Sequence, residues 1–159
     1  MLPPPPLPTL VAPGAGAVFR LLGEVVTCKA TADDTGGAYA LFALATPPRG
    51  GTPPRRHHLE DVAYFVLAGV YAVRVGGETR RLGPGAYAFV PRGTVQAYRN
   101  VGRGPARMLV LVSPGGIHER FLAEVGAPRA DGAPPDVGKV LAAAPKYGVE
   151  FLPLEGMGR

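Results

Sequence analysis

Apolar and polar residues alternate along short segments through most of this chain, and this alternation predicts an all-β fold. Clusters rich in Gly, Pro and Asp separate the segments and are typical of tight turns. Two neighbouring segments are joined by Gly76-Gly77 alone, which predicts a two-residue β-hairpin. Many short strands with regular turns favour a sandwich or barrel. We predict strands over 17–22, 24–31, 38–46, 54–58, 62–68, 70–75, 79–82, 86–90, 94–99 and 106–113.

The two ends of the chain follow other patterns. Residues 1–16 are rich in Pro, which has no amide donor and cannot sit inside a sheet, so we predict a Pro-rich arm. After residue 116 apolar residues recur at helical spacing, first over 117–125 and again from Val137. We expect a β-barrel over 17–115 and a helical extension over 116–159, whose apolar faces pack on the outside of the barrel.

Composition narrows the classes of partner. The chain has 159 residues, a net charge of +5 and 17 basic residues that are scattered rather than clustered, so we predict no binding to nucleic acid. No apolar stretch is long enough to span a bilayer, so we predict no membrane association. Cys28 is the single cysteine and excludes an intrachain disulfide. Because a signal-peptide pattern is also missing, we expect a cytoplasmic protein.

Two segments, 50–69 (GGTPPRRHHLEDVAYFVLAG) and 85–100 (GAYAFVPRGTVQAYRN), look like the two signature motifs of cupins. Two further segments, 32–41 and 146–153, resemble small single-domain cupins described as quercetin-dioxygenase-like. The resemblance implies a double-stranded β-helix, the jelly-roll barrel of that family. It also implies that Asn100 and the glycines of the motifs serve the fold, with Asn100 fixing a turn through its side chain.

Four positions of the motifs would supply the metal ligands of a cupin, which are three His and one Glu. In this chain they are Arg55, His57, Val62 and Gln96. A guanidinium stays protonated and has no lone pair to donate, valine offers no ligand atom, and an amide carbonyl is a weak ligand for transition metals. We therefore predict a degenerate site with no metal and no cofactor.

Neighbouring residues offer ways to rescue a metal site. His58 has the wrong parity in a regular strand, whereas Glu60 and Asp61 lie at a turn where a bulge would bring one inward. On this alternative the protein is a quercetin-dioxygenase-like, metal-dependent oxygenase with a non-standard site around His57. We expect His118, in the first helix of the extension, to lie on the surface.

Arg55 has two interpretations. If it faces into the barrel, its charge needs a partner such as the carboxylate or phosphate of a small ligand, with a hydrogen bond from Gln96 and contact with Val62. If it reaches solvent at the barrel mouth, the interior is a filled apolar core.

His57 invites a catalytic interpretation as well. Tyr64 and Tyr98 share strand parity with positions 62 and 96, so either phenol is a candidate acid beside His57 in a metal-free isomerase or cyclase. The simpler alternative is that the tyrosines fill the barrel and a hydrogen bond satisfies His57.

Together these observations favour a metal-free cupin that binds a small anionic or aromatic molecule in its barrel, with any reaction unknown. Because jelly rolls have exposed sheet edges and small cupins commonly dimerise, we also expect a homodimer.

Overall fold

The computed structural model describes residue 2, residues 4–126 and residues 137–153. Eleven strands and three α-helices lie within these ranges: β1 Ala17–Leu21, β2 Glu24–Ala30, α1 Ala32–Thr35, β3 Ala40–Thr46, β4 Gly51–His57, β5 Asp61–Ala68, β6 Tyr71–Val75, β7 Glu78–Leu82, β8 Tyr87–Val90, β9 Val95–Asn100, β10 Ala106–Ser113, α2 Ile117–Val125, α3 Val137–Ala143 and β11 Val149–Phe151. A 3₁₀ turn over Ala144–Tyr147 joins α3 to β11. The all-β fold predicted from alternation and the jelly-roll barrel implied by the resemblance are both confirmed.

The strands form two antiparallel sheets that face each other. The six-stranded sheet has the order β1-β2-β3-β10-β5-β8, and the five-stranded sheet has the order β11-β4-β9-β6-β7. Since successive side chains point to opposite faces, every second residue of the central strands enters the space between the sheets. Those residues are mostly apolar and form the main core, for example Phe42, Val66, Tyr71 and Met108.

All ten predicted strands are present, with ends that differ by at most three residues. The predicted Gly76-Gly77 hairpin is confirmed, because Val75 pairs with Glu78 across it. The sequence did not reveal β11, a three-residue strand that pairs with β4 and sets Phe151 opposite Arg55. Such a short strand carries no period of its own and forms only because β4 offers an edge.

The helical extension packs differently from the prediction. Phe121 and Leu122 of α2 and Val140 of α3 line the same cavity as the inward-facing strand residues. The extension therefore lines part of the barrel interior, and the prediction that its apolar faces pack on the outside of the barrel was wrong for these residues. Residues 127–136, between the two segments with helical spacing, lie outside the described residues. Among the helices that are described, none is long and apolar enough to cross a bilayer.

Outward-facing apolar side chains lie beside the sheet edge formed by β8. Phe65 pairs with Tyr87 and Ala63 with Phe89, and the three aromatic residues are all exposed. Exposed aromatic residues beside an unpaired edge are typical of association surfaces. The homodimer stays a prediction, and this edge is where we expect its contact.

Asn100 fixes the turn after β9, as predicted. Its Nδ2 donates to the carbonyls of Thr46 (3.0 Å) and Gly104 (2.9 Å), and its Oδ1 accepts from the amide of Gly102 (2.9 Å). We expect Asn100→Ala to lower the free energy of unfolding by about 2–4 kcal/mol, because buried backbone groups lose their partners. Urea denaturation measures the loss. Arg99→Ala, at the exposed neighbouring position, is the control, and an equal loss in both variants would contradict the role of Asn100.

Candidate functional site

A cavity of about 70 Å³ lies between the two sheets, beneath α2. Its wall is mostly apolar, and the apolar residues that line it include Val26, Phe42, Leu44, Val62, Val112 and Leu122. Seven residues with polar atoms also line it: Glu24, Thr52, Arg55, His57, Tyr64, Tyr98 and His118. A few converging polar groups in an apolar cavity are typical of small-molecule sites.

An irregularity in β4 brings two of these polar residues together. Thr52 pairs with Tyr98 and Arg55 with Gln96, so three residues on β4 span the distance that two span on β9. The extra residue is a β-bulge at Pro53-Pro54, where the missing amide donors already break the ladder. As a result Thr52 and Arg55 both point inward, although regular parity would separate them.

The guanidinium of Arg55 lies inside the barrel. Its Nε donates to Nε2 of His57 (3.1 Å), one Nη donates to the Tyr64 hydroxyl (3.2 Å), and the other donates to the hydroxyl of Thr52. Its Cζ lies 5.7 Å from the centre of the Tyr98 ring. Of the two interpretations of Arg55, the structure therefore supports the inward one.

His57 is buried at the end of β4 and is neutral at ordinary pH. Burial lowers its pKa to about 3, and the charge of Arg55 acts in the same direction. Because Arg55 donates to Nε2, the proton of the neutral ring sits on Nδ1, which lies 3.3 Å from Oε1 of Glu60. The alternative in which a hydrogen bond satisfies His57 agrees with this geometry.

Three of the positions at which the resemblance implies metal ligands hold side chains that fit a metal poorly. Val62 is buried in the cavity wall and offers no ligand atom. Gln96 is buried behind Tyr64, and its carbonyl oxygen accepts a hydrogen bond from the Tyr64 hydroxyl. With the Arg55 charge beside them, these side chains suit a cation poorly. Gln96 is not among the residues that line the cavity, and its contact with the site is the hydrogen bond to Tyr64.

A second buried network surrounds Glu24, which the sequence analysis missed. Its carboxylate accepts from the hydroxyls of Thr46 (2.7 Å) and Tyr98 (2.8 Å), and Tyr71 in turn donates to Thr46 (2.9 Å). Burial raises the pKa of Glu24, while these hydrogen bonds and the charge of Arg55 act against the rise. A signal existed in the sequence, since Glu24 shares parity with the inward-facing Val26 and Cys28.

Burial also raises the pKa of both cavity tyrosines, that of Tyr98 well above its ordinary value. The two rings meet edge to face with centroids 5.6 Å apart. Among the hydrogen bonds of the described residues, none joins His57 to either phenol; Arg55 stands between His57 and Tyr64. The structure thus brings the proposed catalytic residues into one cavity without joining them directly.

Two further residues approach His57 from outside the motif's ligand positions. Glu60 turns inward from the loop after β4 and is only 1% exposed. His118, in the first turn of α2, packs its ring against Phe42 and lies 5.9 Å from the His57 ring, centre to centre. The expectation that His118 is a surface residue was wrong, because α2 covers the cavity. Its spacing from Phe121 and Leu122 was the sequence signal for that inward face.

His58, by contrast, points out of the barrel as its parity predicted. Its side chain is 49% exposed and its Nε2 lies 3.0 Å from a Glu150 oxygen. Asp61 is also turned outward, where it binds Arg92. Of the residues considered for rescue of a metal site, only Glu60 reaches His57.

Comparisons with known proteins agree with the architecture. A family model described as Cupin domain matches residues 43–112. An uncharacterized protein of Streptomyces coelicolor is 35% identical over 78 residues, which span 49% of this chain and 68% of that protein.

Solved structures give the same fold. A predicted oxalate decarboxylase from Thermotoga maritima superposes with a TM-score of 0.61 at 16% identity, covering 67% of this chain and 99% of that one. This likeness shows the fold alone. Oxalate oxidase in complex with the substrate analogue glycolate has a TM-score of 0.51 at 25% identity, covering 59% of this chain and 54% of its own.

Proposed function

The chain belongs to the cupin family, and on that premise we propose that its barrel binds a small carboxylate through Arg55 without using the family's metal. The observation that carries this proposal is an inward guanidinium whose hydrogen-bond partners are all neutral: Thr52, His57 and Tyr64. None of the ion pairs among the described residues includes Arg55. A cation in a sheltered cavity without a direct counter-ion favours an anionic ligand.

The charge of Glu24 does not replace that counter-ion. Its two carboxylate oxygens are occupied by the hydroxyls of Thr46 and Tyr98, and it influences Arg55 only across the cavity. Arg55 has five N–H donors, of which three are accounted for by Thr52, His57 and Tyr64. The guanidinium therefore keeps donors for a carboxylate, whose two oxygens match its planar fork.

The cavity limits the ligand to a small molecule. A volume of about 70 Å³ accommodates a few water molecules or a compact organic acid. Because the rest of the wall is apolar, we expect a carboxylate with a short apolar body. The likeness to an oxalate oxidase that was solved with glycolate supports this class of ligand, since glycolate is itself a small carboxylate.

Thermal shift measurements with matched carboxylates and amides test the proposal. We expect acetate, glycolate or benzoate to stabilise the wild-type protein, and acetamide and benzamide to have no effect. A ligand at a hundred times its Kd stabilises by about 2.7 kcal/mol. We expect Arg55→Gln to abolish that gain, because the amide cannot pair with a carboxylate.

Arg56→Gln is the matched control. Arg56 is the next residue on β4, but it points outward and pairs with Glu150 at 3.4 Å. We expect this variant to keep the full carboxylate response. The proposal fails if no acid stabilises the wild type more than its amide does, or if both arginine variants respond alike.

The other two hypotheses are supported less well. An oxygenase that uses the family's ligand positions needs donors where Arg55 and Val62 stand. A metal-free isomerase needs an acid and a base whose pKa values lie near the working pH, whereas burial raises the pKa of Tyr64 and Tyr98 and lowers that of His57 to about 3. Binding of a carboxylate requires only the guanidinium of Arg55 and the apolar wall, which the cavity already contains.

A further inference from the structure

Three buried or half-buried ligand-type side chains converge between β4, the following loop and α2. His57 ends β4, Glu60 lies in the loop and His118 stands in the first turn of α2. Each offers one nitrogen or oxygen atom, and the three atoms lie within 4.8 Å of one another. The cluster thus joins residues that are 61 positions apart in sequence (57 to 118) at one point of the fold.

Two of the three side chains hold a buried polar atom with no hydrogen-bond partner among the described residues. These atoms are Oε2 of Glu60 and Nδ1 of His118. Glu60 is 1% exposed, so solvent does not satisfy its free oxygen. Leaving a buried donor or acceptor unpaired is costly, so two such atoms within one cluster indicate a missing partner.

We propose that His57, Glu60 and His118 bind a divalent transition-metal ion of the Zn²⁺ type. Two imidazoles and one carboxylate are a common ligand set for such ions, which leaves a further coordination position open. Ca²⁺ and Mg²⁺ are disfavoured because they prefer oxygen ligands. The site shares His57 with the ligand positions that the resemblance implies, but it takes its carboxylate from the loop and its second imidazole from the C-terminal helix.

The ring of His118 is ready to act as a ligand. Burial lowers its pKa to about 4, so it is neutral at pH 7 and Nδ1 can carry a lone pair. A contact with Phe42 at 5.1 Å between ring centres holds the ring in place. The amide of Gly116 and that of Ala32 both donate to Glu119, which anchors this end of α2 to the barrel.

Metal binding has a consequence for Arg55. A metal at Nδ1 of His57 moves the ring proton to Nε2, where the Nε–H of Arg55 now donates at 3.1 Å. Two N–H groups cannot face each other, so Arg55 must turn away from His57. We therefore expect Arg55→Gln to keep the metal, because it removes this competition and a nearby positive charge. The metal site does not depend on the proposed carboxylate function, and the two fail separately.

Equilibrium dialysis of the full chain tests the proposal. Protein freed of metal with a chelator is dialysed against buffered Zn²⁺, and the bound metal is measured by mass spectrometry. We expect one Zn²⁺ per chain and an affinity that falls about tenfold or more in Glu60→Gln and in His118→Gln. Replacement by Co²⁺ adds an absorption spectrum that reports the geometry of the ligands directly.

His58→Gln is the control for non-specific binding by a histidine next to the site. His58 is exposed and binds Glu150, so we expect this variant to keep wild-type affinity. Circular dichroism establishes that each variant folds, and Glu60→Gln preserves the shape of the buried acid. Substoichiometric Zn²⁺ in the wild type, or an affinity that Glu60→Gln and His118→Gln leave unchanged, would overturn the site.

Discussion

Replacing Glu24 by alanine is expected to lower the free energy of unfolding by about 3–5 kcal/mol, the largest effect of a single substitution that we anticipate. Glu24 is 3% exposed and accepts hydrogen bonds from Thr46 at 2.7 Å and Tyr98 at 2.8 Å. Its loss leaves two buried hydroxyls without their acceptor and removes a carboxylate that interacts with Arg55 across the cavity. Urea denaturation, monitored by far-UV circular dichroism, measures the change.

Two further variants make the Glu24 result interpretable. Glu24→Gln keeps the shape and one acceptor oxygen, so we expect a smaller loss than for alanine. Glu78→Ala removes a carboxylate that is 63% exposed and pairs with Arg80 on the surface, and we expect it to cost less than about 0.5 kcal/mol. Equal stabilities for the Glu24→Ala and Glu78→Ala variants would show that the buried network contributes nothing.

The second large effect concerns His118 and pH. In the folded protein its pKa is about 4, because burial and the nearby His57 disfavour the charged ring, against an ordinary value of 6.5. Below pH 6.5 the unfolded chain takes up a proton that the folded protein does not. The contribution of His118 to stability is therefore complete above pH 6.5 and is lost progressively as the pH falls towards 4.

We expect the wild type to lose about 2 kcal/mol more than His118→Gln between pH 7 and pH 4.5. Burial raises the pKa of Glu24 and Glu60, so these groups stabilise the fold as the pH falls and oppose the histidines. Glu24, His57 and Glu60 are present in both proteins, so the difference between the two pH profiles reports His118 together with its interactions with His57 and Glu60. Urea denaturation at each pH, with a chelator present, measures it. If the stability of the wild type and of His118→Gln changed equally with pH, the pKa of His118 would be the same in the folded and the unfolded state.

The alternation of apolar and polar residues was enough to predict most of the strands of the fold. Each predicted strand is present because the period of two is a property of the local chain, and turn residues mark where it stops. Parity also placed Val62, Tyr64, Gln96 and Tyr98 inside the barrel, where the structure buries all four. It did not reveal that Thr52 also faces inward, because the bulge at Pro53-Pro54 changes the count of residues within the strand.

The sequence by itself therefore determined the barrel, and through its resemblance to cupins it predicted that Arg55, Val62 and Gln96 replace metal ligands. Only the tertiary structure decided that Arg55 lies among neutral partners, and that Glu60 and His118 meet His57 beneath α2. The physical reason is the sequence distance over which each effect acts. Alternation and residue chemistry depend on residues within a few positions of one another. The partner that a buried charge or an imidazole finds depends instead on which distant segment closes over it.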